Sequence, residues 1–307
     1  ASSHIRVGTF QYFAALDDYD SVKLLLEYAI ERHYPEVMGS ENPALEFLKR
    51  VISAQAKLVS QWMGVGFIHG VMNTDNFSIS GETIDFGPCA MMEEFHPHCV
   101  FSSIDRDGRY AWGNQPVMAH WNLTRLAEAL LPQISENIDE AQALAELALG
   151  AFSEEFTEHY HFHFAAKLGV KSADVEDLLK ETFSLLVRQE VDFTLFFREL
   201  TRMANTGKVE GMLGLFSDKR EYRIWEKRWK VAHCQELANR MKEVNPVLIP
   251  RNHRVEQAIE AAYRGDYSIF EQLRRAWKRP YREDLSSAHL ETVAEQHEKV
   301  RHTYCGT

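Results

Sequence analysis

Phe67-Ile68-His69-Gly70-Val71-Met72-Asn73-Thr74-Asp75-Asn76, followed by Gly81-Glu82-Thr83-Ile84-Asp85-Phe86-Gly87-Pro88, is the stretch on which the reading of this 307-residue chain turns. Up to about Gly113, short apolar pieces (Phe67-Ile68, Phe77-Ser78-Ile79, Thr83-Ile84) alternate with Gly, Asn, Asp and Pro. That is the pattern of tight loops joining strands of roughly two to four residues. Both flanks read as helix. After a short extended start, Asp20 or Ser21 can cap a helix whose apolar residues Val22, Leu25, Leu26, Ala29 and Ile30 recur at helical spacing and which ends before Pro35. Asn42-Pro43 opens a second helix. Its wide apolar stripe, from Leu45 through Val51, Ile52 and Val59 to Met63, stops at Gly64-Val65-Gly66. From Gln115 onward helical periodicity predicts helices over about 116–131, 138–166, 173–188, 191–205, 221–242, 253–263, 267–276 and 287–299. The fold class is mainly α with a small β insertion, and a loop-built site on a helical scaffold is the natural reading.

Bulk properties narrow the function. With 45% hydrophobic and 26% charged residues the chain is an ordinary globular protein, and its net charge of −11 argues against a general nucleic-acid binder, so any nucleotide must be held by a local site. No stretch approaches the roughly 20 apolar residues that cross a bilayer, and Ala1 to Arg6 lacks the charged start and apolar run of a secretory leader. No membrane or secretory role is expected. The four cysteines, Cys89, Cys99, Cys234 and Cys305, form no Cys-x-x-Cys pair, which fits a reducing cytoplasm. Val255 to Arg279 reads as one helical hairpin around Arg264-Gly265-Asp266, with no sustained repeat.

The parts of the opening stretch resemble a kinase catalytic loop, a short hairpin and a metal-binding Asp-Phe-Gly. In protein kinases the loop runs His-Arg-Asp, four residues, Asn; Asp accepts the hydroxyl proton and Asn holds a metal ion. With Asn76 at the Asn position, Val71 falls where that base belongs, which argues against ordinary kinase chemistry and against the His-Gly-Asp type of small-molecule kinase. A carboxylate remains, because Asp75 immediately precedes Asn76. On turn chemistry alone Asp75-Asn76 and Asp85-Phe86-Gly87 would be structural, and their joint spacing is what points to function.

His-Gly-Val-Met-Asn-Thr-Asp-Asn, with Ile-Asp-Phe-Gly-Pro placing its Asp nine residues after that Asn, is similar to the signature of the selenoprotein O family. The resemblance continues in Ser3 to Phe10, Gly108-Arg109-Tyr110, Asn114-Gln115-Pro116, Asn245-Pro246 to Asn252, and the closing Cys305-Gly306-Thr307. It implies a protein-kinase-like C-lobe over 1–135 and a helical C-terminal region over 136–307, in the same or a closely packed domain. It also implies a protein adenylyltransferase that moves AMP from ATP to Ser, Thr or Tyr hydroxyls of protein substrates, with ATP reversed relative to kinases. Asp75 then matches the proton acceptor, Asn76 and Asp85 the ligands of Mg²⁺ or of Mn²⁺ in its place, and Asp85 with Arg6 the groups holding the nucleotide phosphates. The residue types suit this chemistry, since hard oxygens hold Mg²⁺ and a guanidinium offers phosphate a fork. The family's second phosphate-gripping arginine would precede residue 1, and no Gly-x-Gly-x-x-Gly or Gly-Lys-Ser/Thr loop occurs in the chain. The expectation is therefore a piece of a longer protein whose N-lobe lies upstream. Cys305 matches the position of selenocysteine in some members. A redox disulfide is implied with a cysteine after the Asp-Phe-Gly; Cys99 lies nearest but offset, and the pairing stays open.

Two other readings stay open, a non-catalytic kinase-like scaffold and a small-molecule phosphotransferase. His159, His161 and His163 would share one face of a strand, but their surroundings read helical; His96, His98 and Cys99 read as an irregular loop around Pro97; Trp225 and Trp229 read as helix-to-core packing.

Overall fold

The computed structural model describes residues 1–229 and 235–304. Among them the helices are α1 (Val7–Ala15), α2 (Tyr19–His33), α3 (Pro43–Val65), α4 (Gln115–Ile134), α5 (Ile138–Leu168), α6 (Val175–Gln189), α7 (Phe193–Thr206), α8 (Glu210–Gly214), α9 (Lys219–Trp229), α10 (Gln235–Val244), α11 (Asn252–Tyr263) and α12 (Ser268–Ala276). Strands β1 (Phe67–Ile68) and β2 (Ala90–Met91) pair antiparallel, Phe67 opposite Met91 and Ile68 opposite Ala90. The chain is mostly helical with a small sheet, as its periodicity predicts.

α3 is the central element, and its ends are written in the sequence. The Asn42 side chain accepts from the backbone N–H of Leu45 at 3.0 Å, Pro43 occupies the first turn where no N–H is needed, and Gly66 closes the helix in the left-handed region at φ 74°. The same Asn42 amide donates to the Ile134 carbonyl at 2.9 Å, tying the start of α3 to the end of α4. The α3 stripe of Leu48, Val51, Ile52 and Val59 packs with Leu123, Leu126 and Leu130 of α4 and Phe152 of α5 in one core. A second core gathers Phe164 of α5, Phe193, Phe196 and Phe197 of α7, and Trp225 and Trp229 of α9. The two tryptophans stack at 6.0 Å, and their indole N–H groups donate to the Thr182 hydroxyl and the Leu168 carbonyl, so both are core residues. α5 contributes to both cores.

Several local expectations need correction. Residues 7–15 form α1 instead of an extended start: Arg6 provides no side-chain cap, and burial of Val7 and Phe10 holds the helix. The cap of α2 is Asp18, which accepts from the Ser21 N–H at 3.1 Å. Phe77–Ile79 and Thr83-Ile84 form no hairpin. Ile79 N–H donates to the Ile5 carbonyl and Val7 N–H to the Phe77 carbonyl, so that segment is satisfied by the N-terminus, with one bridge between Arg6 and Ser78. The short α8 was not anticipated. The run expected over 221–242 is described as α9 and α10, with 230–234, including Cys234, outside the described residues. Over 287–299 there is only a 3₁₀ turn, Leu285–Leu290, and then irregular chain. Its polar groups reach outward instead, Lys299 to Glu94 at 2.6 Å and Glu298 and Thr292 to α11.

Candidate functional site

β1 and β2 bracket residues 69–89 as one long excursion, and the informative motif lies inside it. His69 organises the excursion. Its backbone N–H donates to the side-chain oxygen of Gln115 at 3.0 Å, while the Gln115 amide donates to the Phe67 carbonyl. The fully buried ring bonds the Ile84 carbonyl through Nε2 at 2.8 Å, and Nδ1 faces the Val71 N–H at 3.4 Å. Because a carbonyl only accepts, Nε2 carries the proton; burial lowers the imidazole pKa, keeping the ring neutral. His69 thus ties the first half of the motif to the residue before Asp85. Gly70 makes the second tie: at φ 80° it lies so close to Pro88 that a Cβ would stand 2.6 Å from the Pro88 carbonyl oxygen, which only glycine permits.

Thr74–Asn76 form a 3₁₀ turn held from two sides. The Thr74 hydroxyl donates to Gln11 of α1 at 2.8 Å, and Asn122 of α4 donates to the Met72 carbonyl at 2.9 Å. Asn76 is nearly buried and donates its amide to the Val71 carbonyl at 3.2 Å, which fixes the side chain with its oxygen left over for a ligand. Asp75 is exposed and makes no ion pair among the described residues. Its carboxylate lies over Gly8 in the first turn of α1, where a Cβ would stand 2.3 Å from Oδ1. Arg6, half-buried, stands at the N-cap position of the same helix, and its backbone bridges Ser78. Arg6, Asp75 and Asn76 therefore share one seam, where α1 begins against the 3₁₀ turn.

Asp85 is exposed and held in the left-handed region at φ 57°, with Oδ1 3.4 Å from the Gly87 N–H. Asp tolerates this conformation better than most residues, and such positions gather at functional sites. Asn76 and Asp85 supply hard oxygen donors that no lysine or arginine among the described residues occupies. No group of three or more His, Cys, Asp or Glu close enough to hold a metal exists among the described residues. A cation here would take two protein ligands and complete its shell from water and phosphate, the habit of Mg²⁺ and not of structural zinc. His159, His161 and His163 are spread around α5, and His96, His98 and Cys99 form a loop in which His98 and Cys99 N–H groups bond His96.

The site is braced from far along the chain. Asn252 clamps the backbone of Met91 in β2 with both amide atoms, at 3.0 and 2.9 Å. Arg251, 1% exposed, bridges Asp192 at 2.8 Å and Glu93 at 3.0 Å. Thr303 bonds the Pro88 carbonyl through its hydroxyl and the Phe101 carbonyl through its N–H. Cys305 lies outside the described residues. Burial pushes the Cys89 thiol up to about 11 and the Cys99 thiol up to about 12, so neither is a reactive thiolate in this conformation. Sequence reasoning gave no role to Gly8, His69, Gly70 or Arg251, although all four, like Asn252, lay within quoted stretches.

No helix among the described residues is long and apolar enough to cross a membrane. The family described as protein adenylyltransferase SelO matches residues 1–278. The chain is 48% identical over 316 aligned residues to the protein nucleotidyltransferase YdiU of Rhodopseudomonas palustris (strain BisB18), covering 100% of this chain and 64% of that protein. It is 46% identical to the protein of that name from Bradyrhizobium sp. (strain ORS 278), with 100% and 64% covered, and 45% identical to that of Rhizobium etli (strain CIAT 652), with 100% and 63% covered. The chain thus spans under two thirds of the length of these curated relatives.

Proposed function

Since the chain belongs to the protein adenylyltransferase SelO family, we propose that it carries the site at which AMP passes from ATP to a Ser, Thr or Tyr hydroxyl of a protein substrate. Asp75 accepts the hydroxyl proton, Asn76 and Asp85 hold Mg²⁺, and Arg6 and the metal grip the phosphates. The carrying observation is the seam at the start of α1, where an exposed carboxylate sits beside an asparagine fixed with its oxygen free and an arginine, neither charged group having an ion-pair partner among the described residues. As a base, a carboxylate at the surface needs only contact with the incoming hydroxyl. The metal would neutralise phosphate charge when bound. His69 holds Asp85 and the Asp75 turn in fixed relation, so the proton acceptor and the phosphate-binding groups are positioned before substrate arrives.

Val71, buried at the kinase base position, favours a second reading, a scaffold that binds nucleotide without transfer. The test is made in the full gene product with ATP, Mg²⁺ and a protein acceptor, reading AMP addition by mass spectrometry. Asp75→Ala is expected to abolish transfer while retaining Mg·ATP binding, and Asp85→Ala to lose metal-dependent binding as well. Transfer at the unaltered rate in Asp75→Ala would remove Asp75 from the mechanism. Phosphate addition in place of AMP would make the protein a phosphotransferase.

A further inference from the structure

A cleft of about 690 Å³ opens between α7, α8, the end of α10 and residues 281–283. None of its lining residues belongs to the excursion over 69–89, and its size lies within the roughly 300–1,000 Å³ usual for small-molecule sites. Five cations, Arg198, Arg202, Lys208, Lys242 and Arg282, line it against three carboxylates, Glu199, Glu210 and Glu283, in a chain of net charge −11. Arg202 is paired with Glu199 at 2.7 Å and Glu283 at 3.3 Å, and Arg198 with Glu291, so these two guanidiniums form a fixed wall. The Arg198 side chain is only 11% exposed, yet its Nε has no hydrogen-bond partner among the described residues. Lys208, Lys242 and Arg282 make no ion pair among the described residues. Beneath the floor, Asn245 accepts from the buried Nζ of Lys167 at 2.8 Å, and that nitrogen lies 4.2 Å from the Phe197 ring. Cations therefore outnumber carboxylates around a concave space, and three of them are left without an ion pair among the described residues. Tyr281, 42% exposed, adds a flat apolar surface.

We propose that this cleft binds a small phosphate-bearing molecule, separately from the transfer site. The Arg282 guanidinium offers phosphate its fork, Lys208 and Lys242 close over further oxygens, and Tyr281 packs a ring. Concavity of this volume selects a small anion over an acidic peptide laid across a surface. The test is calorimetric titration of the full chain with inorganic pyrophosphate and with ADP, in EDTA so that Asn76 and Asp85 cannot bind either probe through a divalent ion. Saturable binding at one site is expected, weakened at least about tenfold in Lys208→Ala/Lys242→Ala/Arg282→Ala. These three side chains are exposed and unpaired, so the urea midpoint of the variant should match that of the parent and show that the fold is intact. Equal affinity in the triple variant would overturn the proposal, as would no saturable binding of either probe up to about 1 mM. Binding of a glutamate-rich peptide but of neither probe would make the cleft a peptide-docking surface, and would also overturn it.

Discussion

Gly8→Ala separates position from fold more cleanly than removal of a site residue. Its Cβ would stand 2.3 Å from Oδ1 of Asp75 and 3.2 Å from the Asp75 backbone N, where ordinary contact begins at 3.4 Å. The carboxylate must therefore retreat by about 1 Å, and being the end of a side chain it can do so by rotating, with little cost to the fold. Gly8 is in the first turn of α1, where alanine tends to add helix stability, by up to about 1 kcal/mol. A displacement of about 1 Å of a reacting group can cost roughly 10²-fold in rate, about 3 kcal/mol of barrier. The expected outcome is a thermal midpoint unchanged or slightly raised, Mg·ATP binding retained, and AMP transfer reduced about a hundredfold. Transfer would be followed as label from α-labelled ATP on an acceptor protein, beside calorimetry of the same sample. Parental transfer rates in a folded Gly8→Ala protein would show that Asp75 does not act from its place over α1, and would refute the seam as the reacting centre.

Arg251→Met should cost about 3–5 kcal/mol in urea denaturation, because it leaves Asp192 and Glu93 without their cation; adding Asp192→Asn should restore part of that loss, and no recovery would argue against the pairing. Burial pushes the Lys167 ammonium from 10.5 down to about 7. Below about pH 7 it is charged folded and unfolded, and the burial penalty is present in full. As pH rises from about 7 toward 10.5 only the unfolded chain keeps the proton, so stability gains up to about 1.4 kcal/mol per pH unit from this group. Lys167→Met should lack that gain, and parallel stability curves for the two proteins between about pH 6 and 9 would rule it out.

Much of the scaffold was legible in the sequence because its signals are local. Asn42-Pro43 and Gly66 announce both ends of α3, and the stripe between them announces the buried face. The loop carrying Asp75, Asn76 and Asp85 was legible as a motif. What escaped was whatever long-range packing decides. α1 has no side-chain cap and exists through burial of Val7 and Phe10, while residues 291–299 lack enough buried positions to stay helical and spend their polar groups on α11 and Glu94. The reason for Gly8 could not be read locally, since the carboxylate it admits comes from Asp75. Arg251 lay inside the quoted stretch from Asn245 to Asn252, but nothing local showed that the fold would enclose it with Asp192 and Glu93.

The clamp of Asn252 on Met91 joins residues 161 positions apart. Closing so long a loop is an entropic cost that short-range helix contacts do not carry, so it belongs among the late events of folding. On a ribosome, Phe67 to Met91 emerge long before residues 251–252 exist, and β2 must wait for them with its pairing to β1 and the neighbouring bonds of Met92, Glu93 and Phe95 to hold it. Order in the loop over 69–89 thereby depends on a residue made 161 positions after β2: a nascent chain halted before α11 would have both helical cores but lack the brace that fixes the far edge of that loop.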